Sequence, residues 1–268
     1  MLARPGIGLC YGSLREVSAP QLVRIAGANG FSGLMLPPFP QAARGEIEGF
    51  RALLSAHGIR RVVLDGVMAQ LPRCAFAAEQ GWSTEQHFAV AERFGVDCFN
   101  VPHYRGDPAT TVAEFADALG PFCERAARAG ITVALEFLPG TGIPDLERAL
   151  SIVEAVRAPN LGITLDTWHW ARTGATLADI RALPAGVIKD FQLSDRAANQ
   201  AAMTDSEQWG RLLPGEGALP LAEIVAAVHA NAPELTVNAE IFSEELQQRD
   251  PDDAACAIAA ALARVMPL

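Results

Sequence analysis

The stretch Gly130-Ile-Thr-Val-Ala-Leu-Glu-Phe137 decides how this chain folds. Gly130 follows an amphipathic run and can take the left-handed conformation that ends a helix and turns the chain into its next element. Beyond it, Val133, Leu135 and Phe137 fall on one face of an extended strand, and Thr132, Ala134 and Glu136 on the other. The same unit recurs. Short apolar runs at 7–11, 33–36, 61–65, 98–102, 132–137, 162–166, 187–193 and 236–241 read as strands, bounded by longer stretches with apolar spacing near 3.6. In residues 46–56, for example, Ile47, Phe50, Leu53 and Leu54 share a helical face, and Gly30, Gly58 and Gly95 close helical stretches as Gly130 does. Strands alternating with helices imply parallel strands joined by crossovers. No linker or composition shift divides the chain, so the pattern predicts one closed (β/α)8 barrel over residues 1–268. An open nucleotide-binding sheet is disfavoured, because no G-x-G-x-x-G follows the first strand and no Walker A motif occurs.

Composition agrees with that reading and excludes several functions. A length of 268 residues suits a barrel of about 250. With 50% hydrophobic and 19% charged residues the chain can bury a large core. No apolar run reaches the roughly 20 residues of a membrane-spanning helix, so no membrane partner is expected. Residues 1–11 pass into strand-like sequence without a signal-peptide layout. The five cysteines are scattered and never form C-x-x-C, which predicts buried thiols in a reducing cytoplasm. A net charge of −10 argues against nucleic acid. The expected partner is a small molecule; homo-oligomerisation stays open.

The chemistry lies in the parity of the late strands. If bulky residues face the surrounding helices, Glu136 points into the barrel. By the same rule Ile163 and Leu165 go outward with Asp166 inward, Phe191 and Leu193 outward with Gln192 inward, and Val237, Ala239 and Ile241 outward with Glu240 inward. Four oxygen donors then meet at the ends of four adjacent strands. Three carboxylates cannot stay ionised together in such a place, since burial and like charges both raise their pKa values. One divalent cation held by Glu136, Asp166, Gln192 and Glu240 removes the conflict. Oxygen ligands without cysteine favour Mn²⁺ or Mg²⁺, with Co²⁺ and Zn²⁺ as alternatives.

The segments ALEF (134–137), LDTWH (165–169), FQLSD (191–195), PGEG (214–217) and AEIF (239–242) resemble the sugar phosphate isomerase/epimerase family of xylose isomerase-like TIM barrels. The resemblance covers the second half of the chain. It maps the family's metal ligands onto Glu136, Asp166, Gln192 and Glu240, with Gln192 where many members carry His. It implies an enzyme of carbohydrate metabolism, a metal-dependent isomerase or epimerase that moves a proton alpha to a carbonyl through a metal-stabilised enediolate. Glu136 and Glu240 are then the catalytic bases, and His169 and Arg211 bind substrate. The substrate would be a keto-sugar, an inosose or a short hydroxy-keto acid. A lyase resembling dehydroshikimate dehydratase, and a sugar-binding barrel without turnover, are the competing readings.

Other residues are less specific. His103 follows the fourth strand at the same rim and is expected either to line the substrate pocket or to cap. Asp65 ends the third strand similarly. His57, His87 and His229 fall in helical stretches and read as structural or exposed. Arg172 and Arg196 read as weaker substrate contacts or solvated charges. Trp82, Trp168, Trp170 and Trp209 can wall a sugar pocket or simply pack. The connection 194–218 far exceeds the usual βα loop of about 2–6 residues, which predicts a lid or substrate clamp.

Overall fold

A computed structural model describes residues 5–41, 48–198 and 209–266. Its eight strands are β1 (Ile7–Cys10), β2 (Gly33–Leu36), β3 (Arg61–Leu64), β4 (Cys98–Pro102), β5 (Thr132–Glu136), β6 (Leu161–Asp166), β7 (Ile188–Leu193) and β8 (Val237–Ala239). All pair in parallel in chain order, and β1 pairs with β8, so the sheet closes into a barrel. Each expected strand is present, with ends shifted by a residue or two where the ladder gives way to a loop. Gly30, Gly58, Gly95 and Gly130 have φ of +79°, +71°, +67° and +72° and end their helices as expected.

Strand parity sorts the core into two layers. Val133, Leu135, Phe137, Ile163, Leu165, Phe191 and Leu193 join the large cluster between strands and helices. Cys10, Met35, Val63, Cys98 and Ala134 form a separate small cluster inside the ring. Below it lies a polar layer in which Asn238 Nδ2 donates to Asp190 Oδ1 at 2.7 Å and the Arg61 guanidinium stands 3.9 Å from the same oxygen. The interior is tight: a Cβ on Gly8 would fall 1.9 Å from Asn238 Oδ1. The barrel is therefore filled, and only the rim at the strand C-termini can admit a ligand.

All five cysteines are free; Cys10, Cys74, Cys98 and Cys123 are buried, but Cys256 is exposed on the helix Pro251–Val265, against the expectation of uniformly buried thiols. Among the described residues no helix is long and apolar enough to cross a membrane.

Candidate functional site

Glu136 is the last residue of β5 and is 5% exposed. Its Oε2 accepts from Asn100 Nδ2 at 2.7 Å; the same amide donates to Asp65 Oδ1 at 2.7 Å and accepts from Thr164 Oγ1 at 2.6 Å. Asn100 has the inward parity of β4, so the rule that picked out Glu136 could have found it too. Asp166 ends β6, and its Oδ1 accepts the N–H of Trp168 at 2.7 Å, capping the short helix Thr167–Trp170. That turn brings His169 back over the strand end. Its Nε2 lies 3.5 Å from Glu136 Oε1 and 3.6 Å from Asp166 Oδ2. Glu136, Asp166 and His169 each offer a ligand atom within 4.8 Å of the others.

Glu240 follows β8 directly, and Cys10 Sγ donates to its Oε1 at 3.7 Å. Between Glu240 and Asp166 sits Arg211, brought in by the long connection after β7. Its Nη1 donates to Asp166 Oδ2 at 2.8 Å, to Glu240 Oε2 at 3.0 Å and to the Glu240 carbonyl at 3.2 Å. Its guanidinium carbon lies 5.5 Å from the Trp168 ring centre and 4.8 Å from that of Phe242.

Gln192 pairs in register with Asp166 and is fully buried. Asp190, on the same face two residues earlier, accepts from Gln192 Nε2 at 3.2 Å. That bond sets the amide orientation and leaves Gln192 Oε1 buried without a hydrogen-bond partner.

The electrostatics follow from this crowding. Burial, then the charges of Glu240, Asp65 and Asp166, push the Glu136 carboxyl well above the usual range. Glu240 is pushed up by burial and by Asp65 and Asp166, against the pull of Arg211. Asp166 is also buried, yet Arg211 and His169 outweigh that and hold it low. Burial drives His169 down to about 4, so its imidazole is neutral near pH 7. Arg211 bonds two of the three carboxylates, Glu136 keeps an amide and an imidazole beside it, and the Gln192 amide oxygen is unsatisfied. This donor set fits a hard or borderline divalent cation.

Above these groups opens a cavity of about 350 Å³. Asp65, Glu136, His169, Arg211 and Glu240 line it together with the rings of Tyr11, Phe76, Trp82, Tyr104 and Phe242. The structure thus brings Glu136, Asp166, His169, Arg211 and Glu240 together, with Gln192 beside Asp166. His103 does not join them. It is fully buried, its Nδ1 accepts from Gly142 N–H at 3.2 Å, and its Nε2 reaches the Pro72 carbonyl at 3.0 Å, so both ring nitrogens are used by backbone. Of the four tryptophans, Trp82 alone is among the residues lining the cavity. Tyr11, at the end of β1, carries no sequence signal that separates it from a packing residue.

Residues 199–208, the middle of the expected lid, lie outside the described residues. The described flanks are tied by Asp195, whose carboxylate accepts from the N–H groups of Gly215 at 3.0 Å, Gly217 at 2.9 Å and Leu219 at 3.1 Å. The PGEG segment is in this way anchored below Arg211 in the chain. A Cβ on Gly217 would lie 2.3 Å from Asp195 Oδ1, so the close approach needs glycine there.

A family model described as xylose isomerase-like TIM barrel matches residues 22–264. An inosose isomerase of Halalkalibacterium halodurans is 28% identical over 127 residues, 47% of this chain and 44% of that protein. A 3-dehydroshikimate dehydratase of Pseudomonas aeruginosa is 28% identical over 166 residues, 60% of this chain and 26% of that protein. The matched stretches thus span less than half the length of these relatives. Among solved structures, the IolI protein with a bound zinc atom superposes with a TM-score of 0.79 at 16% identity, over 97% of each chain.

Proposed function

The chain belongs to the xylose isomerase-like TIM-barrel family, and from that premise we propose that it is a divalent-metal-dependent isomerase or epimerase of a hydroxyketone: a keto-sugar, an inosose or a short hydroxy-keto acid. The observation that carries this is the unsatisfied Gln192 Oε1 beside three buried carboxylates, of which Asp166 and Glu240 share Arg211. Glu136, Asp166, Gln192 and Glu240 would hold the ion, which when bound supplies Lewis-acid stabilisation of charge on the adjacent oxygens of a hydroxyketone. A neutral amide oxygen in place of imidazole favours Mn²⁺ or Mg²⁺ over Zn²⁺.

The chain's own residues supply the proton transfer. Glu136 and Glu240 reach the cavity from strands three apart in an eight-stranded ring, and burial together with their neighbours keeps both carboxyls far more basic than in water. A carboxyl so tuned exchanges a proton with carbon more readily near neutral pH. One takes the α-proton; return at the neighbouring carbon, or on the opposite face of the same carbon, gives isomerisation or epimerisation. His169, neutral by burial, serves to hydrogen-bond a substrate oxygen rather than to donate a full charge. Arg211 orients Asp166 and Glu240. The aromatic walls exclude water from the abstracted proton's site. Free thiols, most of them buried, suit the cytoplasm.

The likeness to a 3-dehydroshikimate dehydratase supports a second reading, a lyase. The same abstraction followed by departure of a β-hydroxyl, which leaves as water with one added proton, would need no further groups. Incubating Mn²⁺-loaded protein in D₂O with keto-sugars, inososes and 3-dehydroshikimate separates the two by mass: substrate carbon gains deuterium without loss of water for the isomerase, and loses water for the lyase. Glu136→Gln and Glu240→Gln should each abolish exchange while the barrel stays folded. Either variant keeping near-native exchange would remove that residue as a base, and metal and sugar binding without any exchange would leave a binding protein.

A further inference from the structure

Beside the main cavity lies a smaller pocket of about 170 Å³ that shares Tyr104, Arg105, Leu138 and His169 with it and adds Thr141 and Arg172. The two differ in charge. Among the described residues, Asp65, Glu136 and Glu240 line the main cavity beside Arg15, Arg105 and Arg211, whereas the smaller one is lined by Arg105 and Arg172 and by no acidic side chain. We propose that this side pocket receives a carboxylate carried by the substrate, so that the hydroxyketone handled at the metal site is an acid rather than a neutral sugar. The inference rests on the proposed function and narrows its substrate class.

Arg105 is the centre of the argument. It is exposed, and among the described residues no acidic side chain lies within ion-pair distance of it. In a chain with 31 acidic and 21 basic side chains, a cation left without an acid at a cavity mouth calls for a ligand. Its backbone sits at φ +53°, in a tight turn closed by Gly106 N–H to the His103 carbonyl at 2.9 Å. That conformation disfavours side chains, yet it carries the guanidinium to 5.5 Å from the Tyr104 ring centre and 5.9 Å from that of Phe76. Both rings line the main cavity, so Arg105 is held at the junction between the two spaces.

The neighbouring loop identifies the anion. Residues 139–142, Pro-Gly-Thr-Gly, look like a phosphate cradle, but Pro139 has no N–H and those of Thr141 and Gly142 are already used, which leaves the single N–H of Gly140. Thr141 N–H donates to the Leu138 carbonyl at 3.3 Å, Gly142 N–H to His103 Nδ1 at 3.2 Å, and Ile143 N–H to Thr141 Oγ1 at 3.2 Å. Thr141 Oγ1 itself donates to the Leu138 carbonyl at 2.8 Å. Without such a cradle, recognition falls to guanidinium groups, whose planar fork matches a carboxylate. A flat aromatic wall on one side and this pocket on the other suit a ring or short chain with its ketone over Glu136 and Glu240 and its acid group at Arg105.

The test is calorimetric and needs no turnover. Shikimate, a cyclic hydroxy acid, and its uncharged methyl ester are titrated into Mn²⁺-loaded wild-type protein and its Arg105→Gln, Arg105→Lys and Arg172→Gln variants. Wild type should bind the acid about 10- to 100-fold more tightly than the ester, the range of a charge-assisted bond. Arg105→Gln and Arg172→Gln should each cut that preference, and Arg105→Lys should restore part of what Arg105→Gln loses. Equal binding of acid and ester by wild type, or a preference that survives both glutamine variants, overturns the inference. A preference for the acid in a protein that never exchanges an α-proton would sink the proposed reaction and leave the carboxylate pocket standing; exchange on neutral inosose with no acid preference would do the reverse.

Discussion

Replacing Arg211 by methionine tests the charge balance of the site directly. Methionine keeps much of the buried stem against Trp168 and Phe242 but removes Nη1, which donates to Asp166 Oδ2, Glu240 Oε2 and the Glu240 carbonyl at 2.8, 3.0 and 3.2 Å. Arg211 is 1% exposed, so water cannot replace it without opening the site. Breaking a buried ion pair from one side costs about 3–5 kcal/mol. For a chain of this size that lowers the melting temperature of metal-free protein by roughly 6–20 °C. The loss should grow from pH 5 to pH 8, because Glu240 is pushed well up and a protonated carboxyl needs its arginine less. Saturating Mn²⁺ should then recover more stability in the variant than it adds to wild type, since the ion supplies the missing charge and no longer competes with Arg211 for Asp166 and Glu240. An ion at 1,000 times its dissociation constant adds about 4 kcal/mol. Calorimetry on EDTA-treated and Mn²⁺-loaded samples of both proteins at both pH values gives the losses and the increments. A metal-free loss below about 1 kcal/mol, or an Mn²⁺ increment no larger in the variant, refutes the reasoning.

Three more outcomes follow from the same geometry. Glu136 and Glu240 have carboxyls raised above their unfolded values, so the folded, metal-free protein binds extra protons. The contribution of these two groups to stability is greatest below the unfolded glutamate pKa of about 4.3 and falls as pH rises toward the folded values. Mn²⁺ must displace those protons, so the melting shift it produces should increase with pH, and a pH-independent shift would count against both residues as ligands. Gln192→His should keep α-proton exchange and move metal preference toward Zn²⁺; unchanged selectivity in competition dialysis would argue that Gln192 does not bind the ion. Asp195→Ala should cost about 2–4 kcal/mol in urea unfolding, because it strands the N–H groups of Gly215, Gly217 and Leu219. It should also weaken the hold of the loop that delivers Arg211.

Much of this was legible without coordinates, and the reason is that a filled barrel enforces a period of two. Bulky residues at 133, 135, 163, 165, 191 and 193 can lie only between strands and helices, which leaves Glu136, Asp166 and Gln192 nowhere to point but inward. The same rule, applied to β4, would have placed Asn100 beside Glu136. What parity does not carry is loop conformation. His103 stands at the rim in sequence, but the turn closed at Gly106 and the approach of Gly142 fold its ring into the protein, where a Cβ at 106 would lie 2.1 Å from Nε2. Arg105, two residues on, takes the exposed place at the cavity because of a left-handed φ that no periodicity reveals.

Side-chain orientation at Gln192 is equally invisible in sequence, and it decides most. An amide can turn either end toward its neighbours, and the bond from Nε2 to Asp190 selects one end. Asp190 can perform this task because its own layer is nearly balanced: one buried carboxylate faces Arg61 and takes the Asn238 amide. The layer above is not balanced. Asp166 and Glu240 bond Arg211, Asp65 and Glu136 line the same cavity, and the carbonyl oxygen of Gln192 adds another acceptor with no donor opposite it. The lower layer also leaves one acceptor, Asn238 Oδ1, without a donor. Its single carboxylate, however, faces Arg61 and takes two amide N–H groups, whereas the upper layer carries four carboxylates and one bonded arginine. The mismatch at the strand C-terminal rim, where a ligand can enter, is what a cation with bound hydroxyketone oxygens would complete.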